Sequence, residues 1–250
     1  ASLAIYSPNG TYKRTIQFSG NEQLPKVNIN ISVPHTHFVN SKYLILPVYS
    51  ETSVASRDYF HEGNLIGLFD KNGKLLFSFG DFPSFYKGDD VYYGQRLCYF
   101  HVDELAKEIY VSFEATSVIQ VYNFEGTITK TFGSEIGEDV FRIPLSEENN
   151  LYYDLRNRSY INYEIFKSTL NGKFYRLVLK PNDANTKQRE VELYLREKVL
   201  QVYDSNYRLS KELVVPYEII GIIGENGNAK LSLLGFNKTL GTYFLANSDI

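Results

Sequence analysis

The chain has 250 residues, a formal net charge of −3, 21 Tyr and 17 Phe, no Trp and a single Cys. This length suits one large domain or two small ones with an ample core. The slightly acidic balance argues against a nucleic-acid backbone or an anionic membrane surface as partner, and the apolar runs are too short for a membrane-spanning helix. With Cys98 as the only cysteine, an internal disulfide and zinc sites of two or four cysteines are excluded.

Short runs of β-branched and aromatic residues are separated by Asn, Gly, Asp and Ser, which predicts consecutive antiparallel strands. The excess of Tyr and Phe favours the same structure, because these residues pack well on pleated, half-buried surfaces. Helical periodicity is nearly absent. The best amphipathic candidate, HVDELAKEIY from His101, runs into the apolar string IYVSF, so we expect a turn between two strands there.

A hairpin motif recurs four times along the chain. Each copy has an apolar-aromatic pair, then Asp, Asn or Ser, then a tip that usually ends in Gly. The Asx side chain can bond its own backbone two residues on, and Gly accepts positive φ, so the motif predicts a tight turn. The copies are IYSPNGTYKRTIQFSG from Ile5, LFDKNGKLLFSFG from Leu68, VYNFEGTITKTFG from Val121 and VYDSNYRLSKELV from Val202, in which Tyr207 replaces the tip Gly.

Further predicted strands precede three of the copies, so that the repeating unit has up to four strands. The predicted preceding strands are KYLILPVY from Lys42, KEIYVSF from Lys107 and EVELYL from Glu190, with RLCYFHV from Arg96 and KFYRLVL from Lys173 further upstream. The interval between the last two tips is the longest. It leaves room for an extra unit, for which LYYDLRNRSYINYEIF from Leu151 is the candidate.

Four-stranded antiparallel repeats predict an all-β propeller that occupies residues 1–250 as a single domain. Blades of about 40–45 residues would give five or six in this length; a β-sandwich is the alternative, although it does not predict recurring turns. The first copy begins at its third strand, and AKLSLLGFNKTLGTYFLA from Ala229 supplies strands at the other end. We therefore expect strands from both termini to close the ring in one blade.

One recurring motif consists of an apolar residue, Tyr or Phe, Asp, two variable residues, Gly-Lys and a later Phe-Gly. This motif resembles the blades of NHL-type and TolB-like six-bladed propellers. More narrowly, the chain resembles a family of uncharacterised Bacteroidetes propeller proteins, many of them predicted lipoproteins. The stretches that carry this resemblance are NLIGLFDKNGKLLFSFGDFPSFY, LYYDLRNRSYINYEIF and VLQVYDSNYRLSKELVVP. The resemblance implies six blades, with seven as the alternative, and an extracytoplasmic location at the cell surface or in the periplasm. It also implies a lipid anchor upstream, and it supplies no catalytic residues.

Two features could contribute to a site. His35 and His37 would point to the same face of a strand and could reach one metal ion, but no third ligand is apparent, so we expect neither a metal nor another cofactor. The aromatic loop DFPSFY at 81–86 is the better candidate for part of a ligand surface, because loops carry function more often than strands do. The alternative is that this loop plugs one end of the ring.

These observations predict a non-catalytic module that binds a protein or glycan ligand at one end of the propeller. The candidate binding residues are Phe85, Tyr86, Arg96 and His101. The alternative is a glycan hydrolase or lyase with a carboxylate or His site in the central channel. Carboxylates conceivable for that chemistry are Asp58, Asp103, Glu114, Asp154 and Glu164. Cys98 lies in an apolar strand, which predicts a buried, inert thiol.

Overall fold

The computed structural model describes residues 2–7, 9–20, 27–29, 37–39, 42–52, 56–88, 91–92, 97–133, 143–144, 159–182, 196–225 and 230–248. Within these ranges the chain is all-β, with two short 3₁₀ helices at Arg57–Phe60 and Ser84–Tyr86 and no α-helix. The strands in chain order are Ser2–Tyr6 (β1), Tyr12–Gln17 (β2), Val27–Ile29 (β3), His37–Val39 (β4), Tyr43–Ser50 (β5), Ile66–Asp70 (β6), Leu75–Phe79 (β7), Val91–Tyr92 (β8), Cys98–Asp103 (β9), Glu108–Phe113 (β10), Thr116–Asn123 (β11), Ile128–Phe132 (β12), Ile143–Pro144 (β13), Ile161–Lys167 (β14), Phe174–Leu179 (β15), Lys198–Tyr203 (β16), Leu209–Val215 (β17), Ile219–Glu225 (β18), Leu231–Asn237 (β19) and Thr242–Ser248 (β20).

The strands form antiparallel sheets from elements that are close in sequence. β1 and β2 form the N-terminal hairpin. In sheet A, β3 and β4 both pair with β5, which is followed by β6 and β7; sheet B runs β9-β10-β11-β12, and sheet C runs β14-β15-β16-β17. Sheet D consists of β18, β19 and β20, and β8 pairs with β13. The predicted four-stranded antiparallel unit is therefore present as sheets B and C.

All four predicted hairpins form, and the Asx residue acts as expected. The Asp70 carboxylate accepts hydrogen bonds from the backbone N–H of Asn72 (2.8 Å) and of Lys74 (2.9 Å). Asp204 makes the corresponding bonds in the fourth copy. The turn between β9 and β10 also lies where HVDELAKEIY predicted it, at residues 104–107.

Successive side chains of a strand point to opposite faces, so each sheet can pack against one neighbour on each face. The sheets stack in this way in chain order. In β5, Leu44 packs against the N-terminal hairpin, whereas Ile45 packs against sheet B. Sheets B and C share a buried cluster that contains Tyr110 and Phe174, and sheets C and D share one that contains Leu200 and Leu233. Each sheet therefore covers its neighbours, as the blades of a propeller do.

The hairpin tips take part in this stacking, since each of three tips touches the last strand of the preceding unit. A Cβ on Gly73 would collide with the backbone carbonyl oxygen of Gln17 in β2. A Cβ on Gly126 would lie 2.8 Å from the Cβ of Phe79 in β7. In the fourth copy the ring of Tyr207 lies against the ring of Phe132 in β12, with 4.4 Å between centroids.

The described part of the stretch from Leu151 belongs to sheet C, because residues 161–167 form its first strand, β14, whereas residues 151–158 lie outside the described residues. The neighbour of β16 differs from the prediction. β15, from the string KFYRLVL, pairs with β16 along its whole length and so takes the position expected for EVELYL, which lies outside the described residues.

The strands near the two ends of the chain lie in different sheets, the N-terminal hairpin and sheet D. Closure of a ring by both termini therefore stays a prediction. Across the described ranges, no helix has the length and apolar character needed to cross a membrane.

Candidate functional site

The first strands of sheets B, C and D (β9, β14 and β18) lie side by side, and we call this surface the inner edge. Aromatic rings bridge its first two strands. The rings of Tyr99 and Tyr163 have centroids 4.8 Å apart, and those of His101 and Phe166 meet edge to face at 4.9 Å. Tyr99 is buried, whereas Tyr163, His101 and Phe166 are half-buried. The inner edge therefore presents aromatic side chains that keep access to solvent.

A β-bulge in β14 sets the direction of its side chains. Asn162 pairs with Val178 and Ile165 pairs with Arg176, so one extra residue of β14 is accommodated between these pairs. Such an insertion breaks the alternation of faces and re-aims the side chains beside it. Tyr163 accordingly faces β9, whereas Glu164 reaches β18 on the other side.

Glu164 is the carboxylate within the central strand of the inner edge, whereas Asp103 and Glu225 lie at the ends of β9 and β18. Glu164 accepts a hydrogen bond from the backbone N–H of Ile222, and it fits there because Gly221 has no side chain: a Cβ on that residue would lie 2.7 Å from Oε2 of Glu164. β18 is itself irregular, since its register with β19 shifts on both sides of this position. Burial raises the pKa of the Glu164 carboxyl to about 7, and the hydrogen bond from Ile222 opposes this effect.

The raised pKa of Glu164 predicts a pH-dependent stability. Between the ordinary value of 4.5 and about 7, the unfolded chain releases a proton that the folded chain keeps. The wild-type protein should therefore lose stability as the pH rises through this window, by about 1–3 kcal/mol relative to Glu164→Gln. Guanidinium unfolding of both proteins at pH 5 and pH 8 measures this difference, and an equal pH response of the two would contradict it.

A second carboxylate, Glu114, is fully buried at the end of β10. It accepts hydrogen bonds from Leu97 N–H (3.0 Å) and from the Tyr99 hydroxyl (3.3 Å), and so it holds one ring of the inner edge in place. Asn162 is also fully buried, and its amide nitrogen donates to the carbonyl oxygens of Glu114 and Thr116. These contacts give Glu114 and Asn162 a positioning role below the aromatic rings of the inner edge.

The predicted site residues are distributed unevenly over the structure. His101 lies on the inner edge, whereas Arg96 and His35 lie outside the described residues and His37 is described only as part of β4. The expectation that His35 and His37 bind no metal ion is therefore untested. Within the described ranges, no group of three or more His, Cys, Asp or Glu side chains is placed to hold a metal ion.

The aromatic loop packs inward. Tyr86 is 1% exposed, its ring contacts Phe82 and Phe113, and its hydroxyl accepts a hydrogen bond from Ala115 N–H (2.8 Å). Phe85 packs half-buried against the same cluster. These contacts fix the loop in the core cluster. Whether the loop plugs one end of the ring, and whether Phe85 and Tyr86 bind a ligand, both stay predictions.

The remaining candidates for catalytic chemistry, where the structure describes them, lie in the following surroundings. Cys98 is buried, as predicted, and burial raises the pKa of its thiol to about 12, which disfavours the reactive thiolate. Asp103 is buried and accepts a hydrogen bond from Ala106 N–H (3.0 Å) within the turn after β9. Asp58 is exposed in the first 3₁₀ helix, and Asp154 lies outside the described residues.

Neither a protein-family model nor a curated protein matches the chain. Among solved structures, it is similar to the crystal structure of a member of the DUF4221 family from Bacteroides vulgatus. The TM-score is 0.69 and the identity 12%, and the match covers 96% of this chain and 71% of that one. The likeness agrees with the all-β, propeller-like stacking of antiparallel sheets described above. At this identity the likeness informs the fold alone.

Two further matches are more distant. Hydrazine synthase from Kuenenia stuttgartiensis has a TM-score of 0.44 at 8% identity, over 98% of this chain and 55% of that one. The Dos1 propeller has a TM-score of 0.40 at 12% identity, over 93% of this chain and 58% of that one. Neither bears on the function of this protein.

Proposed function

We propose that the protein is a non-catalytic binding module that recognises a glycan at the inner edge, with a protein ligand as the second possibility. The observation that carries this proposal is the pair of ring contacts, Tyr99 with Tyr163 and His101 with Phe166, beside Glu164, a residue that is half-buried as a whole. Binding sites are typically lined by aromatic side chains with a few placed polar groups. The inner edge has this composition.

A sugar ring matches the chemistry of these side chains. Its C–H face can stack on the half-buried rings of Tyr163 or Phe166, and its hydroxyl groups can bond to the carboxyl of Glu164. Because the pKa of Glu164 is raised to about 7, the carboxyl can donate or accept a hydrogen bond near neutral pH. The buried bonds of Glu114 keep Tyr99 in place and so reduce the ordering cost of binding.

Tyr163→Ala is expected to weaken glycan binding at least about tenfold, because it removes one half of an aromatic contact and its stacking surface. A panel of oligosaccharides is screened by thermal shift and glycan array, and each hit is measured by calorimetry. Tyr243→Ala is the matched control, since Tyr243 is exposed on β20, away from the inner edge.

Equal affinities of Tyr163→Ala and wild-type protein, with both folded, would exclude the inner edge as the glycan site. A ligand found only among proteins, and still lost with Tyr163→Ala, would keep the site and replace the ligand class.

A glycan hydrolase or lyase is the second candidate, favoured by one observation. The Glu164 carboxyl lies beside the half-buried ring of Tyr163, and a pKa of about 7 keeps a substantial fraction of it protonated near neutral pH, as a general acid requires. If this is the function, the protein turns over a bound glycan, and the rate of turnover falls as the pH rises above about 7. Glu164→Gln then abolishes turnover while glycan binding is retained. Binding without turnover would leave the module non-catalytic.

We also propose that the complete ring has six blades, with seven as the alternative, and that strands from both termini close it. The support is the stacking of the N-terminal hairpin and sheets A to D in chain order. An experimental structure in which β1 and β2 make no backbone hydrogen bonds to C-terminal strands would exclude this closure.

The extracytoplasmic location and the upstream lipid anchor rest on the family resemblance, and fractionation of the native cells tests them.

A further inference from the structure

Glu164 and Phe166 lie two positions apart on β14, and both contact the glycine-containing strand β18. The Glu164 carboxylate lies over Gly221, as described above, and a Cβ on Gly224 would lie 3.9 Å from the Phe166 ring. Their contacts with one strand place the carboxylate and the ring side by side. Both residues are half-buried as a whole, so the pair belongs to the part of the inner edge that a ligand can reach.

Glu164 has no cationic partner within the described part of the chain. Burial raises its pKa to about 7, the hydrogen bond from the Ile222 N–H opposes this effect, and no charged side chain is among the causes. The ring of His101 meets Phe166 from β9, on the other side of β14. A partly desolvated carboxylate without a cation gains most from a ligand that brings the missing positive charge.

The other charges of the inner edge leave this need unmet. Asp103 and Glu225, at the ends of β9 and β18, accept hydrogen bonds from backbone N–H and hydroxyl groups. Lys167 is the one Lys or Arg in the sequence of these three strands. Its ammonium donates to the hydroxyls of Tyr110 and Tyr207, between sheets B and C. The inner edge therefore presents carboxyl groups, and its lysine is directed elsewhere.

We propose that the glycan recognised at the inner edge carries a free amino group, as a glucosamine unit does. The ammonium donates a charge-assisted hydrogen bond to the Glu164 carboxylate, and the C–H face of the same sugar ring stacks on Phe166. An N-acetylated amine has no charge and a single N–H, so it gains less from this carboxylate. The inference rests on the proposed function and adds the chemical class of the ligand.

Calorimetric titration with the tetrasaccharide of glucosamine and with its fully N-acetylated counterpart tests the proposal, at pH 6, where the amine is protonated. We expect the amino form to bind at least about tenfold more tightly. Glu164→Gln should abolish this preference. Glu125→Gln makes the same change at the exposed tip between β11 and β12 and should retain it.

Proton release is a second readout and needs no variant. The Glu164 carboxyl, with a pKa of about 7, is mostly neutral at pH 6 and loses its proton when it pairs with an ammonium. Binding of the amino form should therefore release about one proton, which is measured as a difference in binding enthalpy between phosphate and bis-Tris buffers. Absence of proton release would overturn the pairing, even if the amino form bound more tightly.

The other outcomes separate this inference from the proposed function. Equal or tighter binding of the acetylated form, still lost with Tyr163→Ala, would overturn the free amino group and keep the inner edge as a glycan site. Equal binding of tetralysine would also overturn it, since charge alone would then be recognised. Absence of binding to any glycan by the folded wild-type protein would exclude both the free amino group and the glycan site.

Discussion

Replacing Arg176 by alanine is expected to lower the free energy of unfolding by about 3–5 kcal/mol. Arg176 is fully buried in β15, and burial lowers the pKa of its guanidinium from the usual value. Its N–H groups donate to the Ser117 carbonyl of sheet B (2.7 Å), to the Gln201 side-chain oxygen and to the Tyr203 hydroxyl. The variant would leave the buried Ser117 carbonyl and the Tyr203 hydroxyl without this donor and would open a cavity, whereas the Gln201 oxygen keeps the hydrogen bond from the Tyr203 hydroxyl.

Guanidinium unfolding followed by circular dichroism measures the loss. Arg208→Ala is the matched control, since Arg208 is exposed, and it should change the stability by less than about 0.5 kcal/mol. Arg176→Met restores most of the volume and none of the hydrogen bonds, so it separates the two contributions. A loss below about 1 kcal/mol for Arg176→Ala would show that this network adds little to the packing of sheets B and C.

Gly73→Ala is expected to cost about 3–4 kcal/mol, whereas Gly10→Ala should cost only about 1 kcal/mol. Both glycines occupy the same tip position with positive φ, so both variants carry the same backbone penalty. Only at Gly73 would the new Cβ meet another part of the chain, the backbone around Gln17, and a backbone carbonyl cannot move aside as a flexible side chain can. Gly10 has open space around it.

The difference between these two variants isolates the contact between a tip and the preceding strand. Equilibrium unfolding of both proteins measures it, with Gly10→Ala as the internal control for backbone strain. Equal losses of unfolding free energy in the two variants would mean that the Gly73 tip does not contact β2 in solution.

The repeat could be predicted from the sequence because each hairpin depends on interactions between neighbouring residues. Asp70 and Asp204 bond their own turns, and the glycine tips require positive φ, so each hairpin could be located from a few neighbouring residues. The pairing of β15 with β16 could not be located in this way. A long connection separates them, and which of two apolar strings pairs with β16 depends on contacts between strands rather than on either string.

The inner edge was only partly predictable. His101 and Glu164 were among the candidates because of their residue types, but Tyr99 and Tyr163 read as ordinary strand residues. The bulge that directs Tyr163 and Glu164 to different sides cannot be predicted from the sequence, since it arises from the register between β14 and β15. Gly221 makes room for the Glu164 carboxylate, and this role depends on the neighbouring strand rather than on the residues around Gly221 in the sequence.

The contact between each tip and the strand before it has a consequence for cooperativity. Gly73, Gly126 and Tyr207 each couple one unit to its predecessor, so free energy is shared mainly between nearest neighbours, as in linear repeat arrays. A local opening of sheet B would expose the tip of sheet C but leave the N-terminal hairpin on sheet A undisturbed. Amide exchange would then spread along the chain in steps of one sheet, each with its own opening free energy.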